Sequence, residues 1–80
     1  MMVFPKIESI KEKRISAGIS QHQLNMRADL SWGSICRIEN GSTKRVNMYR
    51  AKAIADVLHC PVEDIFTIPS RTGQTLASNT

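Results

Sequence analysis

The chain has 80 residues, a formal net charge of +4 and an isoelectric point near 9.5. With 41% hydrophobic, 22% charged and 5% aromatic residues, it has the composition of one small globular domain with a largely aliphatic core. It carries neither an apolar run long enough to span a membrane nor the hydrophobic stretch of a signal peptide, so a cytoplasmic protein is expected. The positive charge favours a polyanionic partner such as nucleic acid, although a solvated basic face would explain the charge on its own.

The residues that usually carry catalysis or hold metals are scattered along the chain. Cys36 and Cys60 form no CxxC motif, and His22 and His59 lie far apart with no third ligand or acid partner. No nucleophile–base motif, glycine-rich phosphate loop or convergent pair of acids is visible. We therefore expect no enzymatic activity, no cofactor, no metal and no small-molecule ligand. Both cysteines are interpreted as inert thiols, with oxidation of Cys36 as the alternative.

The first two predicted elements are helices separated by punctuation residues. The first helix is predicted at residues 5–17 and ends at Gly18, which suits the left-handed conformation after a helix. The second helix begins after Ser20, which forms an S-x-x-Q capping box with Gln23. Asp29 then interrupts the pattern where the turn needs a positive φ, which aspartate tolerates better than most residues.

A third helix is predicted from Ser31, as its N-cap, to Asn40, with Gly41 in the left-handed conformation behind it. Within this helix, Gly33 lowers the intrinsic helix propensity by roughly 1 kcal/mol relative to alanine. Two short capped helices joined by a turn of about three residues form a helix-turn-helix, placed here at residues 21–40.

The rest of the chain is predicted as a basic loop, two helices and a tail. The fourth helix is expected at residues 48–59, with His59 as its cap, and a short fifth helix opens at Pro61. The predicted fold class is therefore all-α, a compact five-helix domain over residues 1–68. The polar segment at 69–80 is expected to be a disordered tail.

The residues at these caps, turns and apolar positions form one ordered series: Arg14, Gly18, Ile19, Ser20, Gln21, Leu24, Leu30, Ser31, Ile35, Ile38, Glu39, Asn40 and Gly41. The series resembles the phage-repressor type (Cro/XRE, lambda-repressor-like) of helix-turn-helix domain. The resemblance extends over roughly residues 7–66. Two residues depart from it. Asn25 stands where the family usually has a small alanine, at the closest approach of the two helices, and Asp29 replaces the usual turn glycine.

The resemblance implies that the second helix of the pair lies in the major groove of double-stranded DNA. It implies base contacts from four positions: Ser31, Trp32, Gly33 and Arg37. Arg37 is the best candidate for reading a guanine edge, with a phosphate contact as the equal alternative. The alternative for Trp32 is an apolar lid or a protein interface. Contacts to the DNA phosphates are expected from Gln21, Asn40, Ser42, Thr43, Lys44 and Arg45.

The resemblance also assigns a structural ion pair and a dimer interface. Arg14 and Glu39 are expected to form a partly buried ion pair between the first and third helices. A homodimer on a palindromic site is expected, with its recognition helices about 34 Å apart. Its interface is placed on four apolar residues, which could instead only cap the core: Val62, Ile65, Phe66 and Ile68.

The predicted function is a sequence-specific regulator of transcription from a bacterium or phage, in the first place a repressor bound to an operator. Two alternatives use the same fold. One is an antitoxin-like interaction module in which DNA binding is secondary, and the other is the controller of a restriction–modification system. The short polar tail counts against a toxin-binding arm.

Overall fold

The computed structural model describes residues 2–69, so the predicted tail lies outside the described residues except for Pro69. The elements, in chain order, are β1 (Met2–Pro5), α1 (Ile7–Ser16), α2 (Gln21–Arg27), α3 (Ser34–Glu39), β2 (Val46–Asn47), α4 (Met48–Val57), α5 (Val62–Ile65) and β3 (Phe66–Thr67). The order of the helices agrees with the sequence prediction, and α1 and α3 begin later than predicted.

A small sheet corrects the all-α prediction. Its strands are antiparallel in the order β2-β1-β3, so the N-terminal strand lies in the middle. Val3 pairs with Val46 and is fully buried, whereas Phe4 is 42% exposed, as expected for side chains that alternate between the two faces of a strand. Pro5 was predicted in the first turn of a helix, but it ends β1 opposite Phe66, since the end of a strand tolerates a residue that lacks an N–H donor.

The core collects apolar side chains from all five helices and from the three strands. Its largest fully buried members are Phe66, Ile10, Leu24, Ile35, Ile54, Ile65 and Val3. On α1 only Ile10 is buried, and Ile15, predicted on the same stripe, is 62% exposed. The paired strands therefore complete the core, to which α1 contributes little more than one side chain.

Left-handed residues end the helices where the sequence predicts them. Asp29 and His59 both have a φ of 56°, which confirms the positive φ predicted at Asp29 and the capping role predicted for His59. Behind α2 the backbone N of Asp29 donates to the carbonyl of Met26 at 3.1 Å, and that of Leu30 donates to Asn25 at 3.0 Å. These two bonds form a Schellman motif, which satisfies carbonyls at the end of the helix and turns the chain toward α3.

Candidate nucleic-acid interface

The first helix of the pair, α2, starts at the predicted capping box. The Ser20 Oγ accepts a hydrogen bond from the backbone N of Gln23 at 3.0 Å, and the Gln23 Oε1 accepts one from the backbone N of Ser20 at 2.8 Å. Leu24 on this helix is fully buried. The reciprocal bonds define where α2 begins, and Leu24 anchors it in the core.

The second helix, α3, begins two residues later than predicted. Its N-cap is Gly33 and not Ser31, whose carbonyl instead accepts bonds from the backbone N of Ser34 at 3.1 Å and the Ser34 Oγ at 2.7 Å. Gly33 has a φ of 76°, a conformation that glycine adopts without the steric cost of a Cβ. Because Gly33 precedes the helix, it does not carry the propensity cost expected of a glycine inside one.

Asn25 occupies the space between α2 and the turn, and its side chain is fully engaged. The Nδ2 donates to the carbonyls of Leu30 at 3.0 Å and Ser31 at 2.9 Å, and the Oδ1 accepts from the backbone N of Ile35 at 3.0 Å. Asn25 is only 6% exposed. The departure from alanine therefore fastens the turn to α2 with two hydrogen bonds and the beginning of α3 with a third.

Three of the four predicted base-contacting residues lie in the turn, and the fourth lies on α3. Trp32 is 79% exposed, and its ring meets that of His22 edge-on, with 5.3 Å between the centroids and 64° between the planes. Arg37 is exposed on α3, and a Cβ placed on Gly33 would lie 3.1 Å from its Nη1. The surface formed by Ser31, Trp32, Gly33 and Arg37, together with the exposed thiol of Cys36, is called the recognition surface below.

The loop after α3 presents the residues that were predicted to bind phosphates. The Asn40 Oδ1 accepts a bond from the backbone N of Ser42 at 2.9 Å, and the backbone N of Thr43 donates to the carbonyl of Arg37 at 3.1 Å. The side chains of Lys44 and Arg45 follow on the surface. The loop is thus bonded back to the end of α3, which holds its cationic side chains next to the recognition surface.

Gln21, also predicted to bind a phosphate, is the first residue of α2 and has a side-chain bond within the protein. Its Nε2 donates to the Glu39 Oε1 at 2.9 Å, so one of its two amide hydrogens is engaged inside the protein. The Gln21 side chain is half-buried and borders the same shallow hollow as Trp32. The other hydrogen of the side-chain amide stays available to a phosphate.

Arg50 is a candidate DNA contact that the sequence reading missed. It borders, with Arg37 and Arg45, a hollow of about 210 Å³ between α3, the following loop and α4. The ion pairs within residues 2–69 are Lys13–Asp64 and Arg14–Glu39, so none of these three arginines has an acidic partner there. Asn47 is the sequence signal that could have located Arg50, because asparagine favours the N-cap position and so places Arg50 in the first turn of a helix. In the structure the Asn47 Oδ1 caps α4 by accepting a hydrogen bond from the backbone N of Arg50 at 2.9 Å. Three uncompensated guanidinium groups at one hollow create a positive potential that attracts a polyanion.

Arg14 and Glu39 lie in contact and tie α1 to the end of α3. The Arg14 Nε donates to the Glu39 Oε2 at 2.8 Å, and a second guanidinium nitrogen donates to Oε1 at 3.1 Å. The side chains are 13% and 2% exposed, respectively. Burial raises the pKa of the Glu39 carboxyl, but hydrogen bonds from Arg14 and Gln21 and the charges of Arg14 and Lys11 outweigh it and hold that pKa below its ordinary value.

The four residues assigned to a dimer interface divide into two groups. Ile65 and Phe66 are fully buried in the core of the single chain, so their side chains have no surface to offer a second subunit. Val62 and Ile68 pack against the core and remain partly exposed. Any subunit contact in this region has to use the second group.

Within residues 2–69, no helix is both long and apolar enough to cross a membrane. The same part of the chain contains no cluster of three or more metal-ligating side chains.

A capped helix, a turn fastened to it and a second helix that exposes Arg37 near Arg45 and Arg50 together define a helix-turn-helix DNA-binding domain. The chain belongs to the family of Cro/C1-type HTH DNA-binding domains, since the model of that family matches residues 9–70. This match covers most of the chain and confirms the resemblance seen in the sequence. Comparisons with curated proteins and with solved structures gave no significant match. Membership of the family makes the chain a DNA-binding regulatory domain.

Proposed function

We propose that the protein is a sequence-specific repressor of transcription, which binds a palindromic operator as a homodimer. One observation carries this proposal: the recognition surface is exposed, and neither Arg37 within it nor Arg45 and Arg50 beside it has an acidic partner within residues 2–69. A surface of this kind combines side chains able to contact base edges with cations that neutralise phosphates on either side. Occupation of a promoter by such a domain would block transcription without any further activity.

The contacts follow from the chemistry of each side chain. Arg37, with Gly33 beside it, reads a guanine edge through two parallel hydrogen bonds, a contact worth about 1–3 kcal/mol of discrimination. The exposed ring of Trp32 packs on a thymine methyl group or along the sugar–phosphate backbone. Phosphates are bound by Asn40, Ser42, Thr43, Lys44 and Arg45, by Arg50 and by the remaining amide hydrogen of Gln21. Ser31 contributes a hydroxyl group at the edge of this surface.

The homodimer is supported by the small size of a single recognition surface and by apolar groups left exposed. Val62 and Ile68 are partly exposed, and Phe4, which is 42% exposed, pairs through its backbone with Thr67, the neighbour of Ile68. Burial of these side chains between two copies would stabilise the dimer by about 25 cal/mol for each Å² of apolar surface removed from water. Two copies would place their recognition helices in successive major grooves.

The test is selection of duplexes from a randomised pool, followed by fluorescence anisotropy with the selected duplex, with DNA flanking the gene and with random competitor. We expect the selected site to be palindromic and to bind about a thousandfold tighter than random DNA, with affinity that falls steeply with salt. Arg37→Ala should lose part of this preference. Lys13→Ala is the matched control: it also removes one positive charge, but from a side chain that lies beside Asp64, where α1 meets α5. This variant should keep the preference.

Equal, weak binding to all DNA would refute the operator-binding regulator. Capture of a protein partner in the native host would then favour the antitoxin-like alternative, which shares this fold. A selected site next to restriction–modification genes would identify the controller alternative. Sedimentation of the DNA complex measures its stoichiometry, and one copy per selected site would refute the homodimer.

A further inference from the structure

The recognition helix α3 is capped from outside its own segment. The first N–H groups of a helix have no partner within the helix, and the side chain of the N-cap residue commonly supplies one. In α3 the N-cap is Gly33, which has no side chain. The Oδ1 of Asn25 on α2 accepts the bond from the backbone N of Ile35 at 3.0 Å instead. The beginning of α3 is thus linked to the neighbouring helix.

The same amide group holds the turn that leads into α3. The Nδ2 of Asn25 donates to two successive carbonyls, those of Leu30 and Ser31, at 3.0 and 2.9 Å. Trp32 follows Ser31 directly, and Arg37 lies two residues after Ile35. Asn25 therefore contacts the backbone immediately before Trp32 and shortly before Arg37, and it is 6% exposed, so water competes little for its bonds.

We infer that Asn25 is a positioning residue for sequence recognition. Its amide determines where α3 begins and how Trp32 and Arg37 are presented to the bases, while Asn25 itself contacts no DNA. This inference rests on the proposed function, since it concerns the same surface. Bidentate base contacts depend on the direction of the side chain, whereas phosphate contacts from long, flexible cations tolerate a displaced backbone.

Loss of the amide should therefore lower specific binding and spare non-specific binding. With Asn25→Ala, all three bonds disappear and the backbone N of Ile35 loses its partner. We expect the ratio of operator to random affinity to fall by about 5- to 150-fold, the range set by one bidentate base contact. Affinity for random DNA should stay within about twofold, since the phosphate-binding loop and Arg50 are unchanged.

The experiment uses the full chain and a duplex selected by the wild-type protein. Affinities for this duplex and for random DNA are measured for wild type and for Asn25→Ala, well below the unfolding temperature of each. Asn25→Leu has nearly the same shape, with neither a donor nor an acceptor and no added charge, and it serves as the second variant if the alanine variant does not fold. Val57→Ala trims a partly buried core residue on α4 and controls for lower stability alone. Amide hydrogen exchange at Ile35 reports the cap directly.

Support for the inference would be a reduced affinity ratio in an Asn25 variant, with faster exchange at Ile35 in Asn25→Ala and an unchanged ratio in Val57→Ala. The inference is overturned if a folded Asn25 variant keeps the wild-type ratio, or if both affinities fall in parallel as lower stability would cause. If the wild-type protein selects no duplex, the proposed function fails together with this inference. If the wild type selects a duplex and the Asn25 variants retain the preference, only the inference fails.

Discussion

Replacement of Glu39 by glutamine tests whether the Arg14–Glu39 pair is a main support of the fold. The Glu39 carboxylate, 2% exposed, accepts three side-chain hydrogen bonds, two from Arg14 and one from Gln21, at 2.8 to 3.1 Å. Glutamine has nearly the same shape, but its amide nitrogen would face a donor and its charge would be lost. The guanidinium group of Arg14, whose side chain is 13% exposed, would then lack its counterion.

The expected loss of stability is large for a domain of this size. Removal of one partner from a buried ion pair costs about 3–5 kcal/mol, because the other charge stays buried and uncompensated. A natural domain of this length has a free energy of unfolding of only about 4–12 kcal/mol, at 0.05–0.15 kcal/mol per residue. Glu39→Gln should therefore remove about a quarter or more of the stability and lower the midpoint of unfolding accordingly.

Urea denaturation followed by far-UV circular dichroism measures the free energy of unfolding of both proteins. The matched control is Asp64→Asn, which breaks the Lys13–Asp64 pair at 3.9 Å, where the side chains are 44% and 45% exposed. That pair should contribute no more than about 0.5 kcal/mol to the free energy of unfolding, as is usual for exposed ion pairs. A loss of less than about 1 kcal/mol for Glu39→Gln, or a loss equal to that of the control, would refute the reasoning.

The same pair predicts a dependence of stability on pH. Because the pKa of Glu39 in the folded protein lies below its ordinary value of 4.5, its contribution is fully present above that pH. The contribution is lost as the pH falls through the folded-state pKa. The difference in stability between wild type and Glu39→Gln should therefore shrink below about pH 4.5, and a constant difference down to pH 2 would contradict the prediction.

Four further substitutions test two left-handed turn positions, the sheet and the basic hollow. Asp29→Gly should raise the free energy of unfolding by about 0.5–1 kcal/mol, since the φ of 56° strains a residue with a Cβ. Gly18→Ala should lower the free energy of unfolding by about 1 kcal/mol, because Gly18 has a φ of 73° and the space around it is open. Thermal unfolding of the two variants checks both expectations. Val3→Ala should cost on the order of 2 kcal/mol in urea denaturation if β1 is integral to the core, and a negligible cost would contradict its central place in the sheet. Arg50→Ala should weaken binding to selected and random DNA alike and reduce the slope of log affinity against log salt by about 1, while an unchanged slope would exclude Arg50 from the phosphate contacts.

Short-range features of this fold could be predicted because the atoms that cause them are close in sequence. The capping box joins Ser20 to Gln23, and the left-handed conformations at Asp29 and His59 end helices through bonds to carbonyls in the preceding turn. Such interactions depend on few neighbours, so the residue types indicate them directly. The family, the helix order and most of the recognition surface follow from this local information.

Tertiary structure alone decided the features that join distant segments. Residues 2–5 become a strand because they lie beside β2 and β3, which come from the other half of the chain. The beginning of α3 at Ser34 depends on an amide from α2, and Arg50 joins the basic hollow through the packing of α4 against the N-terminal half. The sequence left open whether Ile65 and Phe66 form a subunit interface or cap the core, since burial is a property of the neighbours that surround a side chain in space. Pairing across long stretches of chain and burial are set by the whole packed molecule, and no local pattern of residues encodes them.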